Sequence, residues 1–487
     1  MRLISFLLLV LSLSCSKPIK LNQKPKTKIL IGLVVDQMRG DYLERFWDDF
    51  SEEGFKRLVN DGIYCSNTNY DYKPTYTAPG HASIFSGTNP SSHGIVANSW
   101  YSRKDSSKVY CVSEKQADGS YFYSPRRLTS ETIGDVIKSK NGKVYGVSIK
   151  DRSAILPAGK NADAAYWFDG ESGGWISSSY YSTINDSLLK EFNNRKNIDQ
   201  YLSSNWTLSL SEDNYSESYK DSSEYEGNLT KNGKNTFPYN IQEAFEELGF
   251  DILKTIPSGN QMTADFALKL IETEKLGLDS ILDFLAISFS VTDYIGHKYG
   301  VNSREVHDCY VKLDLTIAAL LRQFDNQFGE NSYLLFLTSD HGAAENPNYL
   351  KAKGELSGFL DDKKLIKNLE FALNEYFGNQ KWIDAFTNLN IYLNHQALEE
   401  SNLSLKEVDT FIKNHFSKIK GIRSVFNPLL DTVSDKLEQA CLEGFNKNSS
   451  GEFILIENSN WIDDYYQTGT THGSAYEYDT YVPLMLY

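Results

Sequence analysis

The chain is predicted to be an α/β protein with a doubly wound, mostly parallel sheet, and three observations carry that prediction. Uninterrupted apolar runs recur along the sequence, as fully buried parallel strands do. Helical periodicities alternate with them. Three of the runs lead into an aspartate, at the strand ends where open α/β sheets bind their ligands.

The elements follow in order. Residues 1–20, MRLISFLLLVLSLSCSKPIK, open with one basic residue, an apolar run and small residues. They read as an export signal, because the apolar run is too short to span a bilayer. Ser14-Cys15 within it loosely matches a bacterial lipoprotein cleavage site, at which Cys15 would carry lipid and anchor the chain to a membrane; an ordinary cleaved signal is the alternative. The first part of the α/β core is expected over 28–160. There KILIGLVVD ends at Asp36, EEGFKRLVNDG at 52–62 has a helical pattern, and PTYTAPGHASIFSG at 74–87 starts a short apolar helix. KVYGVSIKDR is a fourth strand candidate, whose alternation puts Lys150 and Arg152 on one face and Asp151 on the other. Residues 161–240, rich in Tyr, Ser, Asn and Gly, read as a loop-rich insertion over one end of the sheet. The core resumes over 241–345, where ILDFLAISFSVTD reaches Asp293, a long helix is patterned over 303–329, and SYLLFLTSD reaches Asp340. Two amphipathic helices and the short strand-like pieces NLNIYL and IRSVF make 346–460 a small α+β insertion. The core closes over 461–487 with YVPLMLY.

The totals narrow the function. A 487-residue chain with 40% hydrophobic residues suits one large domain with insertions and argues against disorder. The net charge of −15 makes nucleic acid a poor partner, although a locally positive site can still take a small phosphorylated molecule. Beyond Cys15, the chain holds Cys65, Cys111, Cys309 and Cys441. An even count in an exported chain permits disulfides, while the wide spacing without CxxC argues against a cysteine zinc site. No motif assigns the pairing or the oligomeric state.

The chemistry sits at the strand ends. Asp36, Asp293 and Asp340 would repel one another there unless cations lie between them. Asp293 and His297 form D-x-x-x-H and share one helix face. Asp340 and His341 are adjacent, and His472 lies in TTHGS. Of the other histidines, His81 and His93 are placed in loops, and His307, His395 and His415 are taken as structural or exposed. Imidazole mixed with carboxylate favours zinc, and six such ligands suit two ions rather than one tetrahedral site.

The ordered set VVDQMR, TAPGHASIFSG, GIVANSW, SIKDRSAILPAG, TDYIGH, SDHG and THGS resembles the alkaline phosphatase superfamily. Within it, the set is most similar to the single-chain bacterial zinc phosphatases of PafA type, with the nucleotide pyrophosphatase/phosphodiesterase branch a near neighbour. The resemblance implies two Zn2+ per chain. One would be held by Asp293, His297 and His472, the other by Asp36, Asp340, His341 and the nucleophile oxygen. The nucleophile maps to Thr77, Asn98 to a phosphate-oxygen ligand, and Lys150 with Arg152 to the pair that marks phosphate monoesterases. Zinc coordination can deprotonate a threonine hydroxyl. Amides after Thr77 are expected to point at the phosphate, and Thr75 is read as structural. With both ions, three aspartates, a Thr77 alkoxide and the two basic residues, the site would carry +2, which balances a monoester dianion better than a diester monoanion. Thr77-Ala78-Pro79 departs from the Cys/Ser-x-Pro of sulfatases. Family members usually continue beyond the position of Tyr487, so a fragment is also an expectation. The reading is an exported two-zinc phosphomonoesterase acting on small phosphate monoesters through a phosphothreonine; the alternative is a phosphodiesterase or nucleotide pyrophosphatase on the same scaffold.

Overall fold

The computed structural model describes residues 27–116, 118–231 and 233–487. The export-signal and Cys15 readings fall outside these residues. The central sheet has eight strands: β1 (Ile29–Val35), β2 (Ile63–Asn69), β3 (Val144–Ser148), β4 (Ala164–Asp169), β5 (Gly174–Ile176), β6 (Asp283–Phe289), β7 (Tyr333–Thr338) and β8 (Tyr481–Leu486). Their spatial order is β2-β8-β7-β1-β6-β3-β4-β5. The five from β7 to β4 are mutually parallel, whereas β8 and β5 pair antiparallel with their neighbours. The α/β architecture is thus the predicted one, with antiparallel strands at its margins.

Both faces of the sheet are covered. In β1, Ile29, Ile31, Leu33 and Val35 belong to one core with residues of the helices Ser258–Glu274 and Arg304–Phe328. Val34 belongs to a smaller core on the other side with Phe85 and Ile137. Strand alternation therefore meets apolar partners above and below, which is why these runs lack polar positions.

Two boundaries differ from expectation. Residues 164–176 were grouped with the loop-rich insertion, yet β4 and β5 extend the main sheet. Their Tyr, Trp and Gly content hides a strand in a stretch of similar composition. The run through ILDFLAISFSVTD stops as a strand at Phe289, and Asp293 lies in the first turn of a helix, Val291–Tyr299. In the 346–460 region, Ile383–Thr387, Asn390–Leu393, Ile422–Phe426 and Phe453–Glu457 make a separate four-stranded sheet with its own apolar core. The four cysteines among the described residues are free.

Candidate active site

Four neighbouring parallel strands, β7, β1, β6 and β3, deliver the polar groups from their carboxyl ends. Asp36 follows β1 directly, Asp340 and His341 follow β7, and Lys150 follows β3. Asp293 and His297 come from the helix after β6, one turn apart. His472 enters from the loop that precedes β8. Convergence is a consequence of sheet order, since these strands are adjacent in space and not in sequence.

Two clusters result. Asp36, Asp340 and His341 have ligand atoms within 4.8 Å of one another, and so do Asp293, His341 and His472. His341 thus faces both clusters, and its ring stacks on His472 with centroids 3.4 Å apart. His297 flanks the second cluster, with Nε2 3.2 Å from Asp293 Oδ1.

The donor set fits metal ions. His297, His341 and His472 each direct Nδ1 at a backbone carbonyl, of Thr470 at 2.8 Å, Gly342 at 2.9 Å and Thr75 at 2.7 Å. A carbonyl can only accept, so Nδ1 carries the proton and Nε2 keeps its lone pair for a metal. In addition, Asp36 Oδ1, Asp340 Oδ2 and His341 Nε2 are buried without a hydrogen-bond partner. Orphaned buried acceptors of this kind are costly unless a cation joins them. Burial, then the charge of Asp340, pushes the Asp36 carboxyl well above the usual carboxylate range.

Thr77 opens the helix Thr77–Ser86 at its first position; Tyr76 is the N-cap, with no side-chain cap bond. The threonine is therefore not a cap. It is 1% exposed, and Oγ1 lies 3.4 Å from Lys150 Nζ. Thr75 donates from Oγ1 to the Ser474 carbonyl at 2.8 Å, a structural role, and its own carbonyl orients His472.

The expected amide cradle is absent from this helix start. Ala78 N–H donates to Asn98 Oδ1 at 2.8 Å, Pro79 has no N–H, and Gly80 N–H donates to the Tyr76 carbonyl at 2.9 Å. Asn98 instead secures the residue after Thr77. Gly80 serves close packing: a Cβ there would lie 2.4 Å from the Asp340 carbonyl oxygen.

Lys150 and Arg152 do not share a strand face. β3 ends at Ser148, Lys150 is the N-cap of the helix Asp151–Ala158, and Arg152 sits in its first turn. Lys150 Nζ bridges Asp36 Oδ2 at 2.8 Å and Asp293 Oδ2 at 2.5 Å. Burial alone would discharge this amine, but Asp293 and Asp36 hold it protonated, above the usual lysine range. Arg152 Nη1 donates to Tyr110 Oη at 3.2 Å, and that hydroxyl in turn donates to Asp151 at 2.5 Å.

Some contributors escape sequence reasoning. Gln37, in a left-handed conformation at φ 65°, donates from Nε2 to Asp293 Oδ1 at 2.6 Å. Gly296 leaves room for it, since a Cβ there would collide with Gln37 Oε1. His81 is not in a loop: it is a fully buried residue of the Thr77 helix, 3.2 Å from Asp340 Oδ2 and 2.9 Å from Ser288 Oγ. His93 closes a short helix, Pro90–His93. A side chain that holds a ligand rather than a substrate leaves no spacing to recognise.

The comparisons agree with this geometry. Residues 30–476 match the family model for type I phosphodiesterase / nucleotide pyrophosphatase. A Myroides odoratus protein named calcium-transporting ATPase is 38% identical, over 94% of this chain and 86% of its own. Alkaline phosphatase PafA of Elizabethkingia meningoseptica is 36% identical, over 96% and 88%. The crystal structure of wild-type PafA superposes with a TM-score of 0.89 at 35% identity, covering 95% of this chain and 91% of that one. A PafA variant carrying Thr→Ser, Asn→Ala, Lys→Ala and Arg→Ala changes superposes with a TM-score of 0.88 at 34% identity, with the same coverage of both chains. The chain belongs to the type I phosphodiesterase / nucleotide pyrophosphatase family, and within the alkaline phosphatase superfamily it is an enzyme of PafA type.

Proposed function

We propose that the chain is an exported phosphomonoesterase that binds two zinc ions and hydrolyses small phosphate monoesters through a phosphothreonine at Thr77. The observation that carries this reading is the setting of Thr77. Its hydroxyl is buried, caps nothing, and lies beside an ammonium and two imidazole–carboxylate clusters with unsatisfied ligand atoms. Asp36, Asp340 and His341 would hold one ion, with Thr77 Oγ1 as a further ligand, and Asp293, His297 and His472 the other. Paired ions held there would supply positive charge to the attacking and leaving oxygens of an in-line displacement.

The chain's own residues do the rest. Lys150 favours the ionised Thr77 oxygen by placing a fixed positive charge beside it. Thr77 Oγ1 forms a bond to phosphorus as the bond to the alcohol oxygen breaks, and the alcohol leaves with a proton. Water then cleaves the phosphothreonine, giving inorganic phosphate and restoring Thr77. Asn98, held through Oδ1 by the Ala78 amide, presents its carboxamide nitrogen to a phosphate oxygen, and Arg152 offers its guanidinium to the others. The substituted PafA variant changes the same four residue types, in the same chain order, as Thr77, Asn98, Lys150 and Arg152.

The name of the Myroides relative points to ATP as a phosphate donor. Removal of a terminal phosphate is within reach of the same chemistry. Among the described residues no helix is long and apolar enough to cross a membrane. A phosphodiesterase reading has one observation in its favour, the family description itself.

Thr77→Ala is expected to lower p-nitrophenyl phosphate turnover at least about 1,000-fold, with zinc content near that of the unaltered protein. Turnover at the unaltered rate would remove Thr77 from the nucleophile role.

A further inference from the structure

A cavity of about 330 Å³ is lined by His297, His472 and Asn98 and runs toward the 346–460 region. Its lining beyond those residues sets acidic and aromatic side chains among aliphatic and small polar ones. Asp362, Glu457, Asp463 and Asp479 supply carboxylates, and Tyr76, Trp461, Tyr466 and Tyr478 supply rings. The one lysine in the lining, Lys73, is buried against Glu457 and spends its charge there. No arginine lines it.

Two details show carboxyl groups left without a cationic counterpart. Asp479 is 1% exposed, and its Oδ2 accepts from Gly473 N at 3.1 Å, Ser474 N at 2.7 Å and Ser474 Oγ at 2.6 Å. Its Oδ1 has no hydrogen-bond partner. Asp362, at the start of the helix Asp362–Phe377, is pushed up to about 7 by burial and then by Asp463, Asp464, Asp361 and Glu457, with no cation among its close influences. Carboxylates crowded in this way accept a positive charge readily, and aromatic faces add to the attraction. Tyr466 already stacks on His297, with centroids 5.1 Å apart, so the aromatic wall reaches the metal ligands themselves.

We infer that this cavity receives the leaving group, and that the favoured substrates are monoesters of small ammonium-bearing alcohols, of the phosphoethanolamine and phosphocholine class. The inference rests on the phosphomonoesterase reading above. The dianionic phosphate lies at the two clusters, and the ammonium lies among the carboxylates and rings. The products are the free ammonium alcohol and inorganic phosphate. The same wall disfavours leaving groups that carry further negative charge, so ATP, although within reach of the chemistry, is expected to be a poorer substrate than these monoesters.

The test has two arms, run on zinc-loaded protein and on Asp362→Asn, Asp463→Asn and the double variant. The first compares kcat/KM for phosphocholine with that for its neutral isostere, 3,3-dimethylbutyl phosphate. Comparing the ratio across variants cancels the difference in intrinsic reactivity between the two esters. The ratio is expected to fall about tenfold in the double variant; an unchanged ratio overturns the inference. The second arm measures choline binding by calorimetry. Binding by the unaltered protein that weakens in Asp463→Asn, whose side chain is exposed and keeps an oxygen to accept from Tyr465 N–H, supports the cavity's role. Absence of choline binding overturns it. If choline binds while no phosphate monoester, p-nitrophenyl phosphate included, is turned over, the cavity stands and the phosphomonoesterase reading fails.

Discussion

At the residue scale, the proposed choice between substrates turns on the basic pair. Lys150 is locked between Asp36 and Asp293, whereas Arg152 is held from the side by Tyr110 and Asp151. They come from a helix start rather than a strand face; Asp293 and Asp36 offset the burial of Lys150, Tyr110 and Asp151 that of Arg152, and the charge of Arg152 works against that of Lys150. Replacing both with alanine removes charge that a monoester dianion needs and a diester monoanion needs less. The Lys150→Ala/Arg152→Ala double variant should lose at least about tenfold in the monoester-to-diester ratio of kcat/KM; a ratio that holds would show that neither residue reads substrate charge. The candidate ligand residues were legible because aspartate at the end of an apolar run and histidine at i+4 are patterns of residue type. Gln37 and His81 were not, because they act by touching Asp293 and Asp340, and contact across hundreds of residues has no local signature.

At the scale of elements, the strands at the centre of the sheet were readable and its margin was not. β1, β3 and β6 are almost wholly buried and mostly apolar, and β7 keeps an apolar run although Leu334 is exposed. β4 and β5 were missed because the tyrosine- and glycine-rich stretch around them masks their period. The 177–240 segment is fixed to the Arg304–Phe328 helix by side chains that point inward from that helix. Asp308 accepts from Trp206 Nε1 at 2.7 Å and Tyr215 Oη at 2.8 Å, and Glu305 accepts from Tyr239 Oη at 2.5 Å. Glu226 lies against Glu305, with neither of its carboxylate oxygens paired. Burial and then mutual repulsion push Glu226 up to about 10, and burial pushes Glu305 up to about 8. Both carboxyls therefore stay protonated in the folded chain at pH values where the unfolded chain has released those protons. Stability contributed by this pair is greatest below about pH 4.5 and falls as pH rises toward 8 and 10. Glu226→Gln keeps the shape and removes one titration. Its thermal midpoint relative to the unaltered protein should rise between pH 6 and pH 9, and a pH-independent difference would contradict the shared burial of the pair.

At the scale of the whole molecule, a chain of net charge −15 assembles one locus where cations are needed. Three aspartates converge there, balanced among described residues by Lys150 and, in the proposed holoenzyme, by two ions. The fold class was legible because it follows from the alternation of strands and helices. The helix-amide cradle was not correctly legible, because Pro79 and the Asn98 carboxamide consume or remove those donors. Phosphate recognition is consequently assigned to side chains and metal ions, and that assignment favours a dianion. The most direct test is kcat/KM on zinc-loaded protein for p-nitrophenyl phosphate against methyl p-nitrophenyl phosphate, which share a leaving group and differ in phosphate charge. The account predicts that the monoester is preferred about 100-fold or more; equal rates, or a faster diester, would contradict it.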